Sequence, residues 1–222
     1  MKELMTVGSF LNFGIESAKR NFLKFFGMII FAVIAFIIIA FVGYKISESI
    51  GGLLTFVFAI LISFGFIRNT INLTKGLPID FKAFFSANPI TLLNFFVAMI
   101  VMSILISIGT ILLIIPGIIL SYMLILTPFL IIDKNMGAFE AMGESMRLTK
   151  GYKMDIFVGH FVVFLLINIV SMLIITLPFT IPMALFVQIY PYLVLTGQLD
   201  KAKSELIEKE ESDLPEPTDQ SN

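Results

Sequence analysis

Uncharged, mostly apolar stretches divide the chain into segments of membrane-spanning length. Asp, Glu, Lys and Arg are absent from residues 25–44, 49–67, 83–132 and 156–199. A helix needs about 20 mostly apolar residues to cross a hydrocarbon core of about 30 Å, so the first two stretches fit one helix each and the longer two fit a helical hairpin each. The pattern predicts an all-α polytopic membrane protein with six transmembrane helices as three hairpins. The predicted spans are residues 25–44, 50–67, 90–110, 116–132, 156–176 and 179–198.

Proline, glycine and the midpoint of each long stretch predict where its hairpin turns. A helix cannot continue through both Pro178 and Pro182 without losing backbone hydrogen bonds, so we expect a turn at Leu177–Pro178. The midpoint of the other long stretch falls near Ile108–Gly109, and the predicted spans place its turn between residues 110 and 116. The fourth span should then begin at Pro116 and Gly117, because a proline does little harm in the first turn of a helix.

Each predicted hairpin follows a segment with apolar side chains at helical spacing. These stripes predict three short amphipathic cytoplasmic helices that lie in the headgroup plane. The alternative is that the segments are connectors whose charges are simply solvated. The stripes are Leu11, Ile15, Ala18, Phe22 and Phe25; then Phe81, Phe84 and Phe85; and finally Phe139, Met142 and Met146. Residues 16–19 resemble residues 144–147, which favours a weak internal repeat of the hairpin unit.

The composition excludes several classes of protein. Of the 222 residues, 58% are hydrophobic and 14% are charged, and the mean hydropathy is +0.98. A soluble domain averages about 25% charged residues, so this chain lacks the polar surface of an ordinary cytosolic enzyme, a nucleic-acid binder or a disordered protein. The absence of cysteine excludes disulfides, thiolate nucleophiles and thiolate metal sites.

Lysine and arginine are distributed asymmetrically along the predicted topology. Basic residues in short loops are retained on the cytoplasmic side of a membrane. Alternate loops of this chain hold 14 basic residues and 1, the single one being Lys45. This predicts that the N and C termini are cytoplasmic. We also expect an amphipathic lead-in over residues 1–24 and, from its polar composition, an acidic, disordered tail over residues 200–222. The first apolar run is too long for a cleaved signal peptide, so we expect it to remain as an anchor.

Uncharged polar side chains are the candidates for function inside the predicted spans. His160, Asn168 and Ser171 share one face of the fifth span, and Gln188 lies on the sixth. One interpretation is that they form interhelical hydrogen bonds, each contributing about 0.6–2 kcal/mol. The other is that they form a polar strip lining the path of a substrate.

The sequence predicts no catalytic, cofactor-binding or metal-binding set. His160 and Ser107 would be needed for a serine hydrolase, but they fall at opposite depths, and no Gly-x-Ser-x-Gly turn surrounds the serine. A single histidine without cysteine leaves only loop carboxylates as further metal ligands. We therefore expect a protein that is not an enzyme and uses no cofactor.

Two motifs resemble a known family of membrane proteins. They are Leu-Leu-Ile-Ile-Pro-Gly-Ile-Ile at residues 112–119 and Glu-Ser-Met-Arg-Leu-Thr-Lys-Gly at residues 144–151. The chain resembles, over residues 9–198, the YciC-like six-span membrane proteins and related domains of unknown function, and it is similar to the membrane domain of some glycerophosphodiester phosphodiesterases. The resemblance implies a bacterial or archaeal plasma-membrane protein with no assigned reaction. The candidate motif residues are Pro116, Gly117, Glu144, Ser145, Arg147, Lys150 and Gly151.

Three functions are compatible with charge-free spans and motifs at the cytoplasmic face. The first expectation is a non-enzymatic organising or envelope-maintenance role that acts through the cytoplasmic helices and tail. The alternatives are a transporter or permease-like protein for an apolar or amphipathic solute, and a membrane accessory subunit of an enzyme that acts on lipid headgroups. The expected partners are the lipid bilayer and proteins at the cytoplasmic face, and no nucleic acid.

Overall fold

A computed structural model of the chain describes residues 2–84, 88–171, 177–200 and 204. Within these residues every regular element is helical, and the chain is an all-α polytopic membrane protein. Short 3₁₀ turns cover Lys2–Leu4 and Phe81–Phe84. The α-helices are α1 Val7–Arg20, α2 Phe22–Ile46, α3 Glu48–Thr74, α4 Pro89–Leu112, α5 Ile114–Met123, α6 Thr127–Lys134, α7 Ala138–Leu148, α8 Lys153–Ser171 and α9 Leu177–Leu195.

Five helical segments are long and apolar enough to cross a membrane. They are α2, α3, α4, the consecutive α5 and α6 taken together over Ile114–Lys134, and α8. Large apolar side chains cover the outer faces of these helices; Ile111 and Ile90, for example, are 84% and 70% exposed, as suits contact with lipid. The apolar α9 packs against α8, but its apolar segment Phe179–Leu195 is shorter than the other five, so the sixth span stays a prediction.

The α2–α3 hairpin turns at a single extended residue, Ser47. Its N–H donates to the carbonyl of Gly43 at 3.2 Å, and its hydroxyl accepts a hydrogen bond from the N–H of Ile50 at 3.2 Å. Gly43 faces Gly51 across the hairpin so closely that a Cβ on Gly43 would lie 2.7 Å from the Cα of Gly51. The chain can reverse direction at a single residue because the backbones of the two helices touch at this glycine pair.

The α4–α5 hairpin has the same geometry around Leu113. This residue is extended, and its N–H donates to the carbonyl of Gly109 at 3.1 Å. A Cβ on Gly117 would lie 2.8 Å from the backbone nitrogen of Thr110. The turn at Leu113 lies between the predicted end of the third span at residue 110 and the predicted start of the fourth at residue 116, while Gly109, near the midpoint of the uncharged run, is a packing position inside α4. Pro116 lies in the first turn of α5, two residues after the helix begins.

The predicted turn at Leu177–Pro178 is wrong, because α9 already begins at Leu177 and continues through Pro182 and Pro191. A proline in the first helical turn removes a donor that would have no partner there, so Pro178 is compatible with a helix start. Residues 172–176, which connect α8 to α9, lie outside the described residues.

The amphipathic α1 packs against α8 and α9 rather than standing apart from the bundle. Its buried face consists of Phe10, Phe13, Gly14 and Ser17, together with the predicted Ala18. The other residues of the predicted stripe are mostly half-buried, so the stripe was placed one position away from the true face. The difference arises because Gly14 and Ser17, although not apolar, allow the helix to approach α9 closely.

The other two predicted lead-in helices differ from the structure as well. Before α4, Phe81–Phe84 form a 3₁₀ turn in which Phe84 is 1% exposed and packs against Gly65, while Phe85 lies outside the described residues. In α7 the predicted Phe139 is 69% exposed, and Met146 is exposed too. The buried face of α7 contains the predicted Met142 together with Ala138, Ala141 and Ser145. Of the predicted disordered tail, residues 201–203 and 205–222 lie outside the described residues.

A buried carboxylate joins helix ends at one end of the bundle. Asp133, at the end of α6, pairs with Lys75 and accepts hydrogen bonds from the Tyr192 hydroxyl at 2.6 Å and the Gln198 amide at 3.2 Å. These four residues tie together the ends of α3, α6 and α9. We call this side of the molecule the basic end, since Lys134 and the start of α8 at Lys153 lie there too.

Candidate functional site

The fourth predicted span is broken inside the apolar region. Residues 124–126 separate α5 from α6, and Pro128 follows in the first turn of α6. Because Pro128 has no N–H, the carbonyl of Leu124 accepts a hydrogen bond from the N–H of Thr127 at 3.1 Å instead, and the regular helical pattern is interrupted at Met123 and Leu126. Backbone groups freed at membrane depth need partners from the protein, since lipid supplies none.

Two side chains of α7 supply those partners. The Ser145 hydroxyl donates to the Met123 carbonyl at 2.8 Å and accepts from the N–H of Leu126 at 3.2 Å. Thr149 lies 3.4 Å from the same Met123 carbonyl. Ser145 and Thr149 are both fully buried. The predicted motif residue Ser145 thus holds the broken span in place.

A cavity of about 600 Å³ lies beside the break. Its wall is mostly apolar, with contributions from Met99 and Met102 of α4 and from Phe164 of α8. Four polar side chains also line it: Ser121, Tyr122, His160 and Gln188. At about 1.5 Å per residue, His160 lies about 10 Å from the start of α8 at Lys153 and about 8 Å past Asp155, the last charged residue before the uncharged run. Binding sites for small molecules have this character, an apolar wall with a few placed polar groups.

His160 leaves one ring nitrogen without a partner in this cavity wall. Its Nδ1 lies 3.0 Å from the Ile156 carbonyl, which can only accept, so Nδ1 carries the hydrogen. Nε2 of the neutral ring is then an acceptor, and it is buried without a hydrogen-bond partner among the described residues. The nearby Val187 carbonyl cannot satisfy it, because two acceptors do not bond. The rings of Phe10 and Tyr122 pack against His160, with centroids 5.3 and 5.9 Å away.

The structure divides the predicted polar strip. His160 and Gln188 line the cavity, whereas Asn168 and Ser171 do not. Asn168 is exposed and donates to the Phe164 carbonyl of its own helix at 2.8 Å. Ser171 donates to the Thr180 hydroxyl at 3.1 Å, which is an interhelical bond between α8 and α9.

The remaining motif residues lie on the surface at the basic end. Arg147 forms two hydrogen bonds of 2.6 Å with Glu144, and this pairing holds the pKa of the Glu144 carboxyl below its ordinary value. Lys150 is exposed, and Gly151 ends the α7 segment in a left-handed conformation with φ of +89°. These residues do not face the cavity; an exposed pair three residues apart contributes about 0.2–0.5 kcal/mol.

Sequence reasoning missed much of this site. Pro128 within a long uncharged run is the available signal for a broken span, and Ser121 and Tyr122 precede it by one to two helical turns. Nothing in the sequence shows that Met99 and Met102 would face them. Among the described residues, no group of three His, Asp or Glu side chains is placed to hold a metal ion.

No family model matches this chain, and no solved structure matches it. The resemblance to the YciC-like family therefore stays a prediction from the two motifs.

Proposed function

We propose that this chain is a non-enzymatic, permease-like membrane protein that binds an apolar or amphipathic molecule in the cavity beside the broken span. The observation that carries the proposal is a cavity of about 600 Å³ between apolar helices, with a buried histidine nitrogen in its wall that has no hydrogen-bond partner among the described residues. A buried polar atom without a partner costs about 1–3 kcal/mol, and a ligand donor would recover it. The fitting ligand has an apolar body and one N–H or O–H donor.

The broken span supports a role in moving this ligand. Pro128 lines the same cavity that the apolar side chains enclose, so the break forms part of the wall. In secondary transporters, substrate sites near the bilayer midplane are commonly formed by discontinuous helices. Phe161 and Phe164 at the edge of the cavity are 53% and 64% exposed, which gives an amphipathic solute a lateral route from the bilayer.

Filling the cavity should abolish ligand binding. Ala184 lines the cavity, and Ala184→Phe would occupy part of its volume. In nanodiscs we expect N-phenyl-1-naphthylamine, an apolar fluorophore with one N–H, to show saturable binding that Ala184→Phe weakens at least fivefold. The matched control is Ala59→Phe, at an exposed alanine of α3 that does not line this cavity. Binding to wild type that does not exceed binding to empty nanodiscs, or equal binding by both variants, would contradict the proposal.

We further propose that the protein lies in the plasma membrane and that both of its termini are cytoplasmic. The 14-to-1 division of basic residues supports this orientation. The organising role at the cytoplasmic face and the accessory-subunit role stay predictions from the sequence.

Single cysteines should report this orientation without background, since the chain contains none. Glu48 at the α2–α3 turn and Lys150 after α7 are both exposed. In intact cells we expect a membrane-impermeant maleimide to label Glu48→Cys and to leave Lys150→Cys unlabelled until the cells are lysed. The opposite labelling would show that the chain is inverted, and labelling of both would contradict the three crossings predicted between the two sites.

A further inference from the structure

A second, polar pocket of about 580 Å³ lies at the basic end, between α3, α4 and α6. Its wall includes Arg68, Asn72, Asn88 and Thr91, and it shares no lining residue with the cavity beside the broken span. Arg68 is half-buried, and within the described part of the chain no carboxylate pairs with its guanidinium. A partly buried arginine without an acid partner is a group that binds anions, because its planar fork matches phosphate oxygens.

Two further features make the pocket electropositive. The N-terminus of α4 faces it through Asn88 and Pro89, and the start of a helix carries partial positive charge that favours an anion. Asp133 also lines the pocket, but its carboxylate is engaged by Lys75 as well as by Tyr192 and Gln198. Arg68 and Lys75 against Asp133 leave one net positive charge.

An apolar groove continues from this pocket along α3 and α4. The groove has a volume of about 290 Å³ and is lined by Val57 and Leu61 of α3 and by Leu93 and Phe96 of α4. Pro89 lines both the pocket and the groove, so the two are contiguous. Along α3 the groove extends from the pocket toward the middle of the helix: eleven residues, or about 16 Å, separate Arg68 in the pocket from Val57 in the groove. That distance equals about half of a hydrocarbon core of about 30 Å.

We infer that this pocket and groove bind a phospholipid with an anionic headgroup. The phosphate lies against the Arg68 guanidinium and the N-terminus of α4, and one acyl chain occupies the groove between α3 and α4. A free phosphate ion would use the polar pocket alone, and a zwitterionic or neutral lipid would use the groove without needing Arg68. The contiguity of a cationic pocket and a groove one leaflet deep favours the anionic lipid over both. This site is separate from the proposed ligand cavity, so either can fail without the other.

Native mass spectrometry of the detergent-solubilised protein tests the inference with dioleoyl phosphatidylglycerol as the probe. We expect one molecule to bind with at least tenfold preference over dioleoyl phosphatidylcholine, and Arg68→Gln to weaken binding about tenfold, since it removes a charge-assisted bidentate contact. Arg147→Gln is the matched control: it makes the same charge change at the same end of the bundle, at a side chain that pairs with Glu144 on the surface.

A second variant keeps the test decisive if Arg68→Gln does not fold. Leu93 is 61% exposed, so Leu93→Trp should fold while obstructing the groove, and we expect it to weaken lipid binding while leaving fluorophore binding in the other cavity unchanged. Equal affinity for the two lipids, equal loss in Arg68→Gln and Arg147→Gln, full binding by Leu93→Trp, or displacement of the lipid by millimolar inorganic phosphate would each overturn the inference.

Discussion

Leucine in place of Gly51 should prevent the α2–α3 hairpin from closing, whereas leucine at the adjacent Gly52 should leave the protein intact. A Cβ at position 51 would lie 2.9 Å from the carbonyl carbon of Gly43 and 3.0 Å from the backbone nitrogen of Tyr44, and neither atom can rotate away. A Cβ at position 52 would meet no atom within 4 Å. Overpacking of this kind costs about 1–3 kcal/mol, and more where only backbone can yield.

Thermal unfolding of the purified protein in detergent measures this difference. For a chain of this length, 1 kcal/mol corresponds to roughly 2–4 °C in Tm, so Gly51→Leu should lower Tm by about 5–10 °C. Gly52→Leu makes the same chemical change one residue away and should stay within about 2 °C of wild type. A similar loss in both variants would show that leucine is poorly tolerated throughout this turn and that the close approach at Gly51 is not the cause.

The two hairpins show where sequence reasoning succeeded and where it failed. The uncharged runs located helix pairs, because charges are excluded from the apolar core. They bracketed the turn at Leu113 between a span ending at residue 110 and one beginning at residue 116, but no polar residue marks its exact position within a run of 50 uncharged residues. The useful signal is a glycine four residues before and four after the turn. Gly109 and Gly117 flank Leu113 at the same spacing as Gly43 and Gly51 flank Ser47.

Buried helix faces were misplaced for a related reason. The predicted stripes followed large apolar side chains such as Phe139, which the structure exposes. The faces that pack combine large side chains such as Phe10 and Phe13 with small or polar residues, including Gly14 on α1 and Ser145 on α7. In a membrane protein an exposed phenylalanine carries no penalty, because lipid is as apolar as the interior. Small residues that allow close approach therefore help to mark helix interfaces that large apolar residues alone do not.

The same limits apply to the candidate sites. Sequence periodicity grouped His160 with Asn168 on one face of the fifth span; in the structure His160 lines the cavity together with Gln188, whereas the hydrogen bond of Asn168 lies within its own helix. In the sequence analysis Arg68 counted only as one of the basic residues that predict the orientation of the chain in the membrane. Its position beside the start of α4 depends on the long connection between α3 and α4. Asn69 fixes that connection, exchanging hydrogen bonds with the backbone of Asp80, and periodicity cannot predict such a contact.

Ser145→Ala should destabilise the break between α5 and α6 specifically. It removes the acceptor of the Leu126 N–H and the closest donor to the Met123 carbonyl, leaving only the longer Thr149 contact to that carbonyl. Each buried polar group left unpaired costs about 1–3 kcal/mol, and no lipid group can replace the lost hydroxyl. We expect a fall of several degrees in Tm and faster hydrogen exchange at the Leu126 amide.

Ser63→Ala provides the comparison that isolates this effect. The Ser63 hydroxyl is exposed and donates at 2.8 Å to the Ala59 carbonyl of its own helix, so its removal strands no buried group. It should change Tm by less than about 1 °C and leave exchange at Leu126 unaltered. If Ser145→Ala behaved like Ser63→Ala, other groups would have to satisfy the break, and the buried serine would not be the residue that holds the broken span. If Ser145→Ala weakens binding of N-phenyl-1-naphthylamine and Ser63→Ala does not, the conformation of the break affects the cavity beside it. Such coupling is what a permease-like protein requires.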